Sequence, residues 1–375
     1  MSVGAMRDQV FSLPQLIREV NLEVEDRARS ALTTPDILNL RLALLTGSGD
    51  SHIAARAAQF AWQELGGIPT FADDAMTAAR YRLNGIADGQ RFRPIVVAVS
   101  NSGEVARVVE AAQRARADGA FVLAVSAGAD NRLGACADRV LPVSAPPFAP
   151  APGVRSYAMS LLGLFHLAIR IGTVRGRYTM DEAAALSRQI AGLADAIEAT
   201  LEKVAAAAAR IAEKLYEQPA AEFLGSGPGR ASAAYGAAKL LEAAGIGCYD
   251  QDIEEFVHLQ YFAAQTTVPS VLVAPTNAAA RSRADEVAKL LSNLGRPVVT
   301  LSDEPLIGEH LPHQPGVPEM WQPLLHIAPL ALLACESMAL RDEEPGRGGR
   351  DGWIDAIDGM TTRGSTIKVL SPQTN

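Results

Sequence analysis

The chain repeats itself. Leu42–Thr46 followed by Gly47-Ser48-Gly49 recurs as Ala221–Leu224 followed by Gly225-Ser226-Gly227. The run Pro94–Val99 recurs as Pro269–Ala274, and Gly119–Ser126 recurs as Gly295–Ser302. The offsets are 178, 175 and 176 residues, set by Gly47 against Gly225, Pro94 against Pro269 and Gly119 against Gly295. Three element-sized matches in one order at nearly one spacing predict two tandem copies of one module. Length alone, 375 residues, allows two or three domains at roughly 150 residues each.

Within each copy, short β-branched runs alternate with longer amphipathic stretches. The run ending at Thr46 precedes an alanine-rich helical stretch, Ser51–Leu65. The run 94–99 precedes a helix over Glu104–Ala117, with Val105, Val108, Val109 and Ala112 in helical phase, and 121–125 closes the set. Continuous apolar strands separated by helices predict an α/β fold, a doubly wound parallel sheet flanked by helices in each copy. Aromatics at 5% and abundant alanine suit helices packed closely on sheets. The predicted order is a helical segment over 1–40, a first module over 41–176 and a linking helix over 177–216. A second module over 217–340 and a loop and tail over 341–375 complete it. Pro14 sits in the first turn of a helix over Gln15–Leu32, and Ala145–Gly153, with four prolines, is a stiff loop. Residues 341–352 read as an exposed loop.

Composition excludes several classes. With 34 Lys+Arg against 42 Asp+Glu, a formal charge of -8, the chain lacks the basic face that a nucleic-acid protein needs. Cys136, Cys248 and Cys335 are far apart and show no CxxC spacing, so neither a disulfide framework nor a cysteine zinc site is expected, and a reducing cytoplasm fits. No uninterrupted apolar run approaches the ~20 residues of a membrane span, and the N-terminus shows no signal-type apolar core. Neither nucleic acid nor membrane is an expected partner. His52, His166, His310, His313 and His326 are scattered, with His310 and His313 flanking Pro312 in an expected exposed loop. No ligand-spaced cluster implies a metal, and no cofactor is expected.

Two turns could hold an anion. Ser100-Asn101-Ser102-Gly103 follows the strand 94–99, and Gly47-Ser48-Gly49-Asp50-Ser51 follows the strand ending at Thr46. Backbone N–H groups at the start of a helix, together with hydroxyls, form a ready anion site. Ligands of doubly wound sheets bind at the carboxyl ends of the strands. The matching turn of the second copy, Ala274-Pro275-Thr276-Asn277, offers fewer donors.

These motifs resemble tandem sugar isomerase (SIS) domain proteins, most closely the isomerase half of glucosamine-6-phosphate synthase and its deglycase relatives. The resemblance runs from about Leu42 to the C-terminus. The family's phosphate loop S-x-S-G-E-T corresponds to Ser100-Asn101-Ser102-Gly103-Glu104-Val105, its C-G-T-S turn to Ser48-Gly49-Asp50-Ser51, and its G-V-A-S segment to Gly153-Val154-Arg155-Ser156. The family's G-A-L-K-x-x-E corresponds to Gly236-Ala237-Ala238-Lys239 leading to Glu242. Sixteen residues on, its E-L-K-H corresponds to Glu255-Phe256-Val257-His258, without a gap. The resemblance implies that Glu242 moves a proton between C1 and C2 of the sugar. It also implies that His258 assists ring opening, reaching across from a neighbouring subunit of a homodimer. The chemistry suits these residue types, because aldose–ketose interconversion needs one carboxylate that takes and returns a proton and a second acid/base for the hemiacetal. Lys239, three residues before Glu242, shares its helical face, where its cation could stabilise a carboxylate or an enediolate. On most helices a Lys-x-x-Glu pair is a surface pair; here the spacing and the repeat argue for catalysis.

Three departures bear on the substrate. Asp50 and Val105 stand where the family has hydroxyls. A carboxylate ~5 Å from a phosphate dianion costs several kcal/mol at an effective dielectric of ~20. Arg155, where the family has a small residue, would compensate if it faced the anion, since its fork suits phosphate, sulfonate or carboxylate. Leu259-Gln260 replace the family's G-P. The synthase's imine-forming lysine near the C-terminus has no match in Thr362-Arg363-Gly364-Ser365, with Lys368 further on, and the resemblance carries no glutaminase part. The expectation is an aldose–ketose isomerase or a deglycase/deaminase acting by enediol proton transfer on a sugar with an anion at C6, a hexose or amino-sugar phosphate or a sulfosugar. Expected catalytic residues are Glu242, His258 and Lys239. Expected substrate-binding residues are Ser48, Asp50, Ser51, Ser100, Asn101, Ser102, Arg155, Ser156, Glu255 and Arg363. The alternative is a non-catalytic regulatory protein that binds a sugar phosphate, since fold does not fix function.

Overall fold

The computed structural model describes residues 3–82, 94–263, 267–341 and 362–368. Three helices lead in, α1 (Val3–Phe11), α2 (Leu13–Ala31) and α3 (Thr34–Asn39). Then come β1 (Ala43–Gly47), α4 (Asp50–Glu64), β2 (Thr70–Asp74), the short α5 (Ala75–Thr77), β3 (Ile95–Val99) and α6 (Ala106–Ala117). β4 (Phe121–Ser126), α7 (Arg132–Cys136), β5 (Arg139–Pro142) and α8 (Arg155–Val174) finish the first copy, and α9 (Met180–Leu215) follows. The second copy runs β6 (Ala220–Leu224), α10 (Pro228–Ala244), β7 (Gly247–Gln251), α11 (Ile253–His258), β8 (Ser270–Val273), α12 (Arg281–Asn293), β9 (Val298–Ser302), β10 (Glu309–Pro312), α13 (Gln322–Leu325) and α14 (Ile327–Arg341).

Each copy builds a five-stranded sheet in the same order, β2-β1-β3-β4-β5 and β7-β6-β8-β9-β10, with every neighbouring pair parallel. The doubly wound α/β fold predicted from the alternating runs is therefore formed twice. β1, β3 and β9 are buried along their whole length, as strands covered on both faces by helices must be. In this order the chain reverses direction across the sheet between β1 and β3, and between β6 and β8. That switch point is where such sheets open a crevice beyond their strand ends.

The two copies share their sharpest local feature. Gly49 caps α4 at φ 56°, ψ −131°, and Gly227 caps α10 at φ 54°, ψ −134°. A side chain is strained in that conformation, essentially reserved for glycine. Two residues earlier, a β-carbon on Gly47 would lie 2.6 Å from the Ser51 carbonyl carbon, and one on Gly225 would lie 2.4 Å from the Gly229 oxygen. Each strand therefore ends flush against the first turn of its own helix.

The chain divides into two compact units. Residues 1–18, 147–155 and 192–347 make the one that holds the second sheet; residues 19–146, 156–191 and 348–375 make the one that holds the first. In the first-sheet unit, Val96, Ala98, Val108, Ala112, Val122 and Ala124 form the core between β3, β4 and α6. There the Trp62 indole of α4 donates to the Leu164 carbonyl of α8 at 2.9 Å. In the second-sheet unit, Leu224, Leu272, Phe256, Val287 and Leu291 play the same part. Two helical stretches, Arg155–Val174 and Glu319–Arg341, are long and apolar enough to cross a membrane, although the sequence reading found no such run. Their apolar windows are 83% buried inside the fold, which marks them as core helices.

The histidines depart from the sequence reading. His313 is not in an exposed loop: it follows β10 with 2% exposure, packs its ring 4.8 Å from that of buried His326, and binds the Gln314 carbonyl through Nδ1. His310 lies in β10 and binds the Ser302 carbonyl. His166 of α8 is buried, with Nε2 2.9 Å from Asn21 Oδ1. The expected loop 341–352 lies, beyond Arg341, outside the described residues.

Two outcomes follow from this frame. Gly49→Ala meets nothing within 4 Å, so its cost is conformational alone; we expect a loss of about 1–3 kcal/mol in urea unfolding. A wild-type stability would show that the turn relaxes freely. Burial, opposed by the charge of Glu25 and helped by that of Arg29, pushes His166 down to about 4. Below the ordinary histidine value of ~6.5, the unfolded chain takes up a proton that the folded one refuses. Stability therefore declines as pH falls from ~6.5 towards 4, by about 2 kcal/mol at pH 5. Thermal unfolding of wild type and His166→Gln at pH 7 and 5 checks this; the variant should lose less on acidification.

Candidate active site

The switch point of the first sheet gathers the predicted anion loops. Ser48 and Ser51 flank the Gly49 cap, directly after β1. Ser100 follows β3; its N–H donates to Val125 of β4 and its carbonyl accepts from Gly103, closing the turn. The hydroxyls of Thr46 and Ser100 are buried without a hydrogen-bond partner among the described residues. Buried hydroxyls are normally bonded, so this pair at adjacent strand ends is an unmet demand at the place where a ligand would sit. Asn101 is exposed and Ser102 half-buried, with the Ser102 hydroxyl accepting from the Glu104 N–H at 3.3 Å. Glu104 ties the loop to α7, its carboxylate accepting from the Arg132 N–H at 3.1 Å.

Asp50 opens α4, and its charge acts on Tyr157 in the first turn of α8. Burial first, and the Asp50 charge second, push the Tyr157 phenol far above the ordinary tyrosine value. Tyr157 thus keeps its proton at any working pH. The sequence reading named Arg155 and Ser156 and missed Tyr157. Its signal was an aromatic residue in the first turn of a helix that follows a proline-rich loop. Ser156 is half-buried in the same turn. Arg155 is held by the N-terminal helices: its guanidinium donates to the Ser12 hydroxyl at 2.8 Å, stacks 4.5 Å from the Phe148 ring, and its N–H reaches Gln9. Arg155 belongs to the second-sheet unit, and the loops to the first-sheet unit.

The tail lies along α6. The Thr362 carbonyl accepts from the Ala106 N–H at the start of that helix, and the Arg363 carbonyl accepts from Arg132 at 3.0 Å, leaving the Arg363 side chain exposed. Arg107 bonds Ser365 and Thr366, and Arg114 bonds the Lys368 carbonyl. The Lys368 N–H donates to the fully buried carboxylate of Glu110, which also takes Arg80 at 2.9 Å and Arg107. Burial alone would raise the Glu110 carboxyl; the Arg80 bond, the Lys368 amide and the Arg107 charge outweigh it and hold it below the usual range.

The proposed proton-transfer residues lie in the second-sheet unit. On α10 the Lys239 ammonium is 2.6 Å from Glu242 Oε2; the lysine side chain is fully buried and the carboxylate 40% exposed. This is not a solvated surface pair. Lys239 also sits 5.4 Å from the Tyr235 ring centroid, and the Tyr235 hydroxyl donates to the Gly153 carbonyl at 3.2 Å. Gly236 is required by packing, since a β-carbon there would stand 2.7 Å from Phe223 of β6 and 2.8 Å from Leu330 of α14. That close approach holds α10 against its sheet and fixes the face that carries Lys239 and Glu242. His258, at the end of α11, is exposed and pairs with Glu254 at 3.1 Å; Glu255 is exposed beside it.

The second switch point is filled from within. The Thr276 N–H donates to Asp303 at 2.7 Å and its hydroxyl to the other carboxylate oxygen. Burial would raise the Asp303 carboxyl, but these bonds outweigh it and hold it low. Glu319 accepts from the Ala279 N–H at 3.0 Å, just ahead of α12, and its other oxygen faces the Gly227 turn. Two internal carboxylates thus bond the loop after β8 and the amides ahead of α12.

Residues 37–167 match the sequence profile of the SIS domain. The matched stretch is about a third of the chain. It takes in the whole first sheet, and the second sheet repeats its strand order and glycine cap. The chain is 28% identical over 312 residues to the glutamine–fructose-6-phosphate aminotransferase (isomerizing) of Streptomyces coelicolor, a match covering 80% of this chain and 49% of that protein. The same enzyme of Pyrococcus horikoshii is 25% identical over 354 residues, 91% of this chain and 56% of that one. The chain thus spans about half the length of these curated relatives. Among solved structures, the C-terminal domain of glucosamine-fructose-6-phosphate aminotransferase from Francisella tularensis aligns with a TM-score of 0.80 at 16% identity, over 91% of this chain and 97% of that one. Glucosamine-6-phosphate deaminase from Thermotoga maritima aligns at 0.68 and 16%, over 92% and 96%. At such identities the structural likeness is one of fold alone.

Glu319 tests the internal filling. A carboxylate beside helix N-terminal amides contributes ~0.3–1 kcal/mol, so Glu319→Gln should lower urea stability by about that much at low salt. The difference should shrink at 1 M salt, where screening removes it.

Proposed function

We propose that the chain is a sugar-phosphate isomerase of the SIS type, or a deglycase that releases an amine by the same enediol chemistry, acting on a sugar with an anion at C6. The observation that carries this is the pair on α10, a half-exposed carboxylate held 2.6 Å from a fully buried ammonium. A base that returns the proton it takes must stay in one place while its substrate rearranges. A buried partner with no freedom to leave fixes it there, and its positive charge favours a developing enediolate. Glu242 is the proposed base, with Lys239 as its electrostatic partner and His258 as the acid/base for ring opening. The exposure of His258 and Glu255 suits a residue completed by a second copy in a homodimer.

The anion is assigned to the unsatisfied hydroxyls and loop amides of Ser48–Ser51 and Ser100–Ser102, beside the protonated phenol of Tyr157. The loop offers Ser100 and Ser102 to a phosphate or sulfonate. The relatives' names, an isomerizing aminotransferase and a deaminase of phosphorylated amino sugars, support the substrate class.

Incubation in deuterated water with fructose 6-phosphate, fructosamine 6-phosphate or sulfoquinovose should show exchange at C2–H or its enediol partner by proton NMR. Glu242→Gln should slow exchange by roughly 10²–10⁴-fold. Exchange that survives this substitution overturns the base assignment, and tight binding without exchange of any of the three would make the protein a sensor.

A further inference from the structure

Away from the strand ends, the first-sheet unit encloses a second polar cavity that the chemistry above leaves unused. It has a volume of about 50 Å³ and is lined by Glu25 and Arg29 of α2, His166 and Arg170 of α8, and Met180 and Ser187 of α9. One water needs ~10–15 Å³ of such space, so the cavity holds several waters or one small molecule. Arg170 lies fourteen residues beyond Ser156 on the continuous helix α8, about 21 Å along its axis at 1.5 Å per residue. The cavity is therefore separate from the loops at the switch point.

Its lining is unbalanced in a specific way. Arg29 is paired with Glu25 one helical turn away, which offsets the Glu25 charge in part, the carboxylate acting on His166 more strongly than the arginine. Arg170 makes no hydrogen bond or ion pair among the described residues, and its Nε is shut off from solvent. Its Nε–H is a buried donor with no partner, on a side chain that carries a full charge. His166 has the opposite shortage. Its Nε2 is engaged by the amide oxygen of Asn21, which puts the proton there, and its buried Nδ1 is a lone pair with no donor. Burial keeps the ring neutral at working pH. The wall thus presents an uncompensated cation beside an acceptor that needs a proton.

Few small molecules answer both demands. An oxyanion satisfies the arginine, but only an oxyanion that still carries a hydroxyl satisfies the histidine. We propose that this cavity binds inorganic hydrogen phosphate, Arg170 donating to its oxygens and the phosphate hydroxyl donating to Nδ1 of His166. Sulfate has the same shape and no proton to give. A phosphate monoester above its second pKa of ~6 has none either, so the geometry selects the free ion over a phosphorylated metabolite.

Isothermal titration calorimetry of the full chain at pH 7.5 tests this with sodium phosphate, sulfate and methyl phosphate. Phosphate should bind, with sulfate and methyl phosphate at least about tenfold weaker. Arg170→Met should weaken phosphate at least about tenfold, as loss of a charged donor does, while Arg170→Lys, which keeps the charge, should retain part of the affinity. Ser100→Ala/Ser102→Ala should leave this event intact, because any phosphate it abolishes belongs to the switch-point loops. That arm separates failure here from failure of the proposed sugar site. Absence of binding, equal affinity for sulfate, or phosphate affinity unchanged in both Arg170 variants overturns the inference.

Discussion

The turn between each first strand and its helix is the constraint on which both modules rest. β1 and β6 end so close to the helix that follows that no β-carbon fits at Gly47 or Gly225. The cap two residues on must take a conformation that only glycine adopts without strain. That geometry aims the first amides of α4 and α10 at the crevice where the strand order reverses. Everything placed at either switch point, ligand or side chain, is placed relative to those amides.

From this shared frame the copies have gone opposite ways. In the first, Thr46 and Ser100 present buried hydroxyls with no partner among the described residues, a cost that a bound anion would remove. In the second, the matching positions are Leu224 and Pro275, which carry no hydroxyl, and the carboxylates of Asp303 and Glu319 bond nearby amides from within the chain. The same backbone thus carries unmet hydroxyls in one copy and internally bonded carboxylates in the other. The proposed base and its partner, Glu242 and Lys239, stand on α10 of the second copy.

Strands and helices were legible because their signals are local: continuous apolar runs, helical phase in Val105, Val108 and Val109, and a repeat that restates each element. The G-x-x-K-x-x-E spacing placed Lys239 and Glu242 on one face for the same reason. Burial was not legible. Nothing in the sequence near Lys239 says that its side chain is sealed, because burial is set by packing and not by spacing along the helix. His313 looks like part of an exposed loop because its neighbours are prolines and a histidine; in the fold its ring packs on buried His326, thirteen residues later. Tyr157, Asp303 and Glu319 were missed because each matters through one contact with a loop remote in sequence. Arg155 was read as a candidate for the anion, and its visible partners turned out to be Ser12, Gln9 and Phe148.

The strap of residues 362–368 sets an order of events for synthesis. The buried carboxylate of Glu110 receives one of its donors from the backbone of a residue 258 positions later, and the first amide of α6 is bonded by Thr362. A ribosome completes β1 to β5 early, yet those groups wait for their partners until the second copy has been made. The first sheet to be translated is therefore the last to be closed, and a nascent chain carries α6 without its backbone partners from the strap through most of its elongation.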